Sequence, residues 1–240
     1  MKLGVYGLGR FGSFWAKCLA SENEIFGYSR RSKPEINNVT LVDLETLCRC
    51  DVIVLCVAIS AMEDALRTLA PLVRKDCLVM DTCSVKLEPV RLMKEILPET
   101  VSILATHPMF GPDSGKNGIK GLPIVMSGER CGDADYSFWR DRFAGMGLVV
   151  HEMSADEHDR EAAYTQGITH FVGRVLDGLH LKPSEIGTLG YRKILEIVEQ
   201  TCNDPYQLFL DLQKYNPYTK LMRRDLMNSI EEFLKLPELQ

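Results

Sequence analysis

The chain has 240 residues, 45% hydrophobic and 25% charged, enough for one large domain or two modest ones with a real core. Its formal net charge is −5 and no lysine- or arginine-rich block breaks the pattern, so nucleic acid is not an expected partner. No apolar stretch approaches the roughly 20 residues that span a bilayer, so no membrane contact is expected, and "MKLGVYG" reads at once as a strand rather than a signal or transit peptide, which implies a cytoplasmic protein. From there, short apolar runs alternate with helical patterns. Strands are expected at 3–7, 24–29, 51–57, 77–82 and 101–106, with helices at about 10–20, 43–50, 60–73 and 88–96. Near-continuous apolar strands fit a parallel sheet covered on both faces, and the alternation implies a doubly wound α/β domain. "LPIVMS" (122–127) and "GLVVHE" (147–152) extend the sheet, with "DADYSFWRDRFAGM" as the helix between them. In that helix Phe138, Trp139, Phe143 and Met146 fit a core-facing stripe.

The texture changes at Ser154. "SADE" is a capping box from Ser154 to Glu157 and opens a helical stretch to about Leu179. Strand-like runs do not return. "GTLGYRKILEIVEQ" restarts a helix at about 190. Asp204 then caps a helix with Pro205 at its first position, and Asn216 with Pro217 repeats the device. Met222, Leu226, Met227 and Ile230 form a packing stripe on the last helix. Two domains are expected, a doubly wound α/β unit over residues 1–152 and an all-α unit over residues 153–240. The eight cysteines show no CxxC pair or Cys/His cluster, so reduced thiols are expected and no metal site.

"GVYGLGRFG" sets Gly7, Gly9 and Gly12 in GxGxxG spacing between a strand and a helix, the fingerprint of a Rossmann-type dinucleotide site. Gly7 makes the tight turn, Gly9 lets the backbone approach a pyrophosphate, and Gly12 lets helix and strand pack closely. Amides at the helix start then hold the phosphate charge. Leu8, Arg10 and Phe11 fill the same turn, and Cys56 and Val57 end a strand beside it, so all join the expected cofactor set. The second strand ends on Ser29, Arg30 and Arg31 where an acidic residue would hold the ribose of NAD. A hydroxyl and two guanidinium groups suit a 2′-phosphate, so NADP is the expected cofactor, with NAD possible.

In an open α/β sheet ligands bind beyond the carboxyl ends of the strands. His107 lies there after "VSILAT", and Ser84 and Lys86 of "DTCSVK" lie there after the preceding strand. A neutral imidazole is suited to take a proton near pH 7. Gln166 and His170 lie four apart and share one face of the long helix.

"SVK", "THPMFGPDSG" and "MSADEHDREAAYTQGITHFVGR" together resemble the prephenate/arogenate dehydrogenase family of tyrosine biosynthesis, over roughly residues 1 to 195. The wording "ITHFVGRVL" is most similar to the plant-like arogenate branch, which commonly uses NADP. The resemblance implies oxidative decarboxylation of arogenate or prephenate, giving tyrosine or 4-hydroxyphenylpyruvate. It implies His107 as the base on the ring hydroxyl, supported by Ser84. It also implies Arg192 of "GYRKIL" as a carboxylate anchor, His170 and Gln166 near the substrate, and Lys86 and Asp113 on the substrate side. His158 of "EHD" would orient the helix start near the cofactor. The helical domain would form a homodimer. A 3-hydroxyacid dehydrogenase or an imine reductase shares this architecture, but such enzymes place a lysine or aspartate on the interdomain helix. A non-catalytic dinucleotide sensor would leave Ser84, His107 and Arg192 without a purpose.

Overall fold

The apolar runs of the first half become neighbouring strands of one sheet in the computed structural model, which describes residues 1–20 and 23–239. They are β1 (Lys2–Tyr6), β2 (Glu24–Tyr28), β3 (Val39–Leu41), β4 (Val52–Leu55), β5 (Leu78–Asp81), β6 (Ser102–Pro108), β7 (Pro123–Arg130) and β8 (Val149–Glu152). Their spatial order is β3-β2-β1-β4-β5-β6-β7-β8. The pairs from β3 to β6 are parallel, β7 runs antiparallel to β6, and β8 runs parallel to β7. Chain direction around the sheet reverses at β1, which pairs with β2 on one side and β4 on the other. That reversal opens the crevice where doubly wound sheets bind ligands. β3 was not expected, because three residues with two exposed carry almost no apolar pattern.

Helices α1 (Arg10–Leu19), α2 (Leu44–Leu47), α3 (Met62–Leu69), α4 (Leu87–Ile96) and α5 (Asp133–Gly145) connect these strands. Each central strand is buried along nearly its whole length, which is why β4 and β5 read as unbroken apolar runs. Trp15 of α1 meets Phe110 and Phe143, and Trp139 meets Phe143, in one aromatic cluster under the sheet. The expected stripe on α5 is corrected in one place. Trp139 and Phe143 are buried, but Phe138 is 48% exposed, because it sits one residue and so about 100° round the helix from Trp139.

Two units separate by their internal contacts, Met1–His158 and Asp159–Gln240, rather than at 152/153. The described elements of the second unit are all helices. The Ser154 box forms as expected: the Ser154 amide donates to Glu157 Oε2 at 2.9 Å and the Glu157 amide donates to Ser154 Oγ at 3.3 Å. It opens α6 (Ala155–Ala162), which passes through a π-helical segment at Ala163–Gly167 into α7 (Ile168–Asp177). Gln213 donates from Nε2 to the Gly167 carbonyl at 2.8 Å, so the backbone group displaced by the π turn is satisfied.

Then follow α8 (Leu189–Asn203), α9 (Tyr206–Tyr215) and α10 (Thr219–Leu234). Both expected proline starts shift. Pro205 is itself the extended N-cap of α9 with ψ 135°, and Asp204 ends α8 instead of capping α9. Asn216 accepts the Tyr218 amide at 2.9 Å and forms a turn, so α10 begins only at Thr219. Of the stripe on α10, Met222 is fully buried while Met227 and Ile230 are largely exposed.

Candidate active site

The glycine turn is built for close approach. Gly7 follows β1 with φ +102°, and a Cβ there would meet the Cys56 carbonyl oxygen at 2.5 Å. A Cβ on Gly12 would fall 1.9 Å from the Gly7 carbonyl oxygen, so only glycine lets α1 start against this turn. A Cβ on Gly9 would meet nothing within 4 Å. That open space lies at the start of α1, whose N-cap Gly9 has no side chain to occupy the first amides. The residues present therefore fit a dinucleotide, with the pyrophosphate at the helix N-terminus.

Other expected cofactor residues divide by role. Cys56 and Val57 wall the glycine turn, and burial pushes the Cys56 thiol up to about 12. Leu8 is 1% exposed and its side chain belongs to the core, so only its backbone faces the turn. Phe11 stacks on Trp15 at 6.2 Å. Ser29 is half-buried after β2, and Arg30 and Arg31 are exposed beside it. Arg10 forms an ion pair with Asp113, tying the glycine turn to the loop after β6. Asp113 was expected on the substrate side. Its carboxylate is instead engaged by Arg10 in a half-exposed pair, which ranks it as a loop tie of small energetic weight.

At the ends of β5 and β6 the polar groups are buried. His107 lies inside β6 opposite Val125 of β7 and is 3% exposed. Its Nδ1 contacts His158 Nε2 at 2.8 Å, and its Nε2 takes no part in that contact. Burial above all, then His158 and the Lys86 charge, holds the His107 imidazole well below its ordinary value of 6.5. His107 is therefore held neutral at neutral pH. Ser84, in the loop after β5, is 5% exposed, and its Oγ has no hydrogen-bond partner. A buried hydroxyl left without a partner is costly in a native structure and is expected to meet a ligand.

Lys86 corrects an expectation. Proposed from sequence as a contact to substrate, it is 0% exposed. Its ammonium pairs with Asp81 at the end of β5 and donates to the Thr106 carbonyl at 2.6 Å. Asp81 also accepts the amides of Cys83 at 2.9 Å and Thr106 at 3.2 Å. The pair is a charged brace between two adjacent strand ends, and it acts on His107 through its field. Asp81 and Thr106 were missed. An acid closing the apolar run "CLVMD", five residues before a lysine, was the available signal.

The helical unit carries the remaining candidates. His170 is buried on α7 with Nδ1 unpartnered, its Nε2 is 3.9 Å from Asp204, and burial lowers its basicity. Gln166 Oε1, in the π segment, is buried and likewise unpartnered. Arg192 is exposed near the start of α8, where Thr188 caps the helix.

If His107 is the base, the acid limb of kcat/KM should fall below pH 6.5, because its conjugate acid is destabilised in the free enzyme. A profile measured through neutral and mildly acidic pH checks this. An inflection above 6.5 would assign the limb to another group.

Among the described residues no helix is long and apolar enough to cross a membrane. The family description "Prephenate dehydrogenase, nucleotide-binding domain" matches residues 29–122, and "TYRAAT1-like, C-terminal domain" matches residues 175–236. Arogenate dehydrogenase 1, chloroplastic, of Arabidopsis thaliana is 38% identical over 230 residues, covering 90% of this chain and 36% of that protein. Arogenate dehydrogenase 2, chloroplastic, of the same plant is 37% identical over 230 residues, covering 90% of this chain and 64% of that protein. This chain thus spans less than two thirds of either relative. Among solved structures, prephenate dehydrogenase from A. aeolicus in complex with hydroxyphenyl propionate and NAD+ superposes with a TM-score of 0.75 at 19% identity, covering 100% of this chain and 93% of that one. That likeness carries the fold.

Proposed function

We propose, from its similarity to the nucleotide-binding domain of prephenate dehydrogenases and to the two plant arogenate dehydrogenases, that the chain is a member of the prephenate/arogenate dehydrogenase family and oxidatively decarboxylates arogenate, prephenate or both. The observation that carries the reading is the pair of buried groups at adjacent strand ends: a neutral His107 with Nε2 available and a Ser84 hydroxyl lacking a partner. A bound nicotinamide dinucleotide supplies the hydride acceptor. His107 takes the proton of the ring carbinol at Nε2, and Ser84 hydrogen-bonds the same oxygen and fixes its direction. Loss of the ring carboxylate as CO2 makes the ring aromatic, so the chain's task is to orient the carbinol and receive one proton. Burial of both groups excludes water from that oxygen.

For the substrate's polar side chain and carboxylates we assign Gln166, His170 and Arg192, on the chemistry of their side chains. The exposed apolar residues of α10, Met227, Ile230 and Phe233, suit a homodimer surface. A cytoplasmic location is part of this reading, whereas the two plant relatives are named as chloroplastic. Turnover of each substrate, followed by cofactor reduction, tests the function. A protein that binds the dinucleotide but turns over neither substrate would be a sensor.

We read the cofactor as NADP, since Ser29, Arg30 and Arg31 follow β2 with no acid among them. Each charge-assisted contact to a 2′-phosphate is worth roughly 1.5–3 kcal/mol, and salt screening at exposed arginines favours the lower end. Ser29→Asp with Arg30→Ala should therefore weaken NADP by about 10- to 100-fold and reverse the preference toward NAD. Isothermal titration of both cofactors against both proteins decides it. Wild-type protein that binds NAD as tightly as NADP would sink the assignment.

A further inference from the structure

We propose that His158 is a positioning residue for the base: it accepts the Nδ1 proton of His107 and thereby holds the tautomer whose Nε2 can take the carbinol proton. The inference rests on the function proposed above for His107. Its basis is the 2.8 Å contact between His107 Nδ1 and His158 Nε2, with the two rings tilted 69° apart and both residues nearly inaccessible. Two imidazole nitrogens at that distance share one proton, so one ring donates and the other accepts. If His158 donated, a neutral His107 would carry its proton on Nε2 and could not act as a base there. If His107 donates, Nε2 keeps its lone pair.

The surroundings favour the second arrangement. Lys86 places a full positive charge on the same side, and Asp81 is already bonded to that lysine and to the amides of Cys83 and Thr106. A proton held on His107 Nδ1 points at His158 Nε2, the ring atom that the contact places to accept it. The Ser154–Glu157 box sets where His158 sits, because the His158 amide donates to the Ser154 carbonyl at 3.0 Å. When the carbinol proton arrives on Nε2, the His107 Nδ1–H to His158 Nε2 bond becomes charge-assisted and strengthens as the proton transfers. The proton taken from the oxygen is carried by His107 until it leaves to solvent.

The test compares His158→Leu with His158→Gln in the full-length chain. Glutamine can still accept from Nδ1 through its side-chain oxygen, and leucine cannot. Nitrogen-15 spectra of the imidazoles should show His107 protonated on Nδ1 in wild type and His158→Gln, and on Nε2 in His158→Leu. With substrate and cofactor, His158→Leu should lower kcat by about 10- to 100-fold and leave KM within about threefold. His158→Gln should recover kcat to within about fivefold of wild type. Wild-type His107 protonated on Nε2, unchanged kcat in His158→Leu, or a glutamine variant no better than leucine would each overturn the proposal. If wild type turns over neither substrate, the proposed function fails on its own, while the spectra still decide the tautomer.

Discussion

Replacing His107 with Asn should lower kcat by about 10² to 10⁴, the usual worth of a positioned acid–base group, while dinucleotide affinity stays near wild type. The substitution is smaller than the ring it replaces and keeps a polar group toward His158, so the interior at the end of β6 is not asked to accept a charge. What it removes is a nitrogen able to hold the carbinol proton at neutral pH. Because His107 is already neutral there, the loss should be flat across neutral pH rather than confined to one limb. Stopped-flow or steady-state cofactor reduction, with titration of the cofactor alongside, separates the two effects. Near-normal turnover by the variant would reduce His107 to a strand residue with no part in the chemistry.

The second large effect concerns stability. Lys86→Met should destabilise the first unit by about 3–5 kcal/mol, because it leaves the Asp81 carboxylate buried without its counter-charge. At ~2–4 °C per kcal/mol for a chain of this size, the unfolding midpoint should drop by about 6–20 °C. Asp81→Asn added to Lys86→Met should recover much of that loss, since two neutral groups of similar volume leave no orphan charge. Asparagine has one accepting oxygen and so keeps only one of the two amides, Cys83 on Oδ2 or Thr106 on Oδ1, that the carboxylate holds, which leaves the recovery short of complete. Thermal unfolding followed by circular dichroism would measure all three proteins. A single variant that melts within about 2 °C of wild type would show the pair to be dispensable.

Much of this was legible before any coordinates. The three glycines could be read because their constraint is local: Gly12 must leave room for a carbonyl five residues earlier. The Ser154–Glu157 box is local in the same way. The strands announced themselves because burial on both faces demands an unbroken apolar run. His107 could be placed at a strand end from the apolar run that precedes it. Helix starts at Pro205 and Pro217 were misplaced by a residue or two, since proline is tolerated both as an extended cap and inside the first turn.

By itself, then, the amino-acid sequence determined the order of elements, the glycine turn and the long capped helix, all features set by neighbours within a few residues. Only the tertiary structure decided that Lys86 turns inward to Asp81 and Thr106, that Asp113 is taken by Arg10, and that His158 meets His107 across 51 positions of chain. A lysine after a strand can point to water or to a buried acid. The choice depends on whether desolvation is offset by a partner whose position is fixed by sheet register, and register is a property of the folded chain.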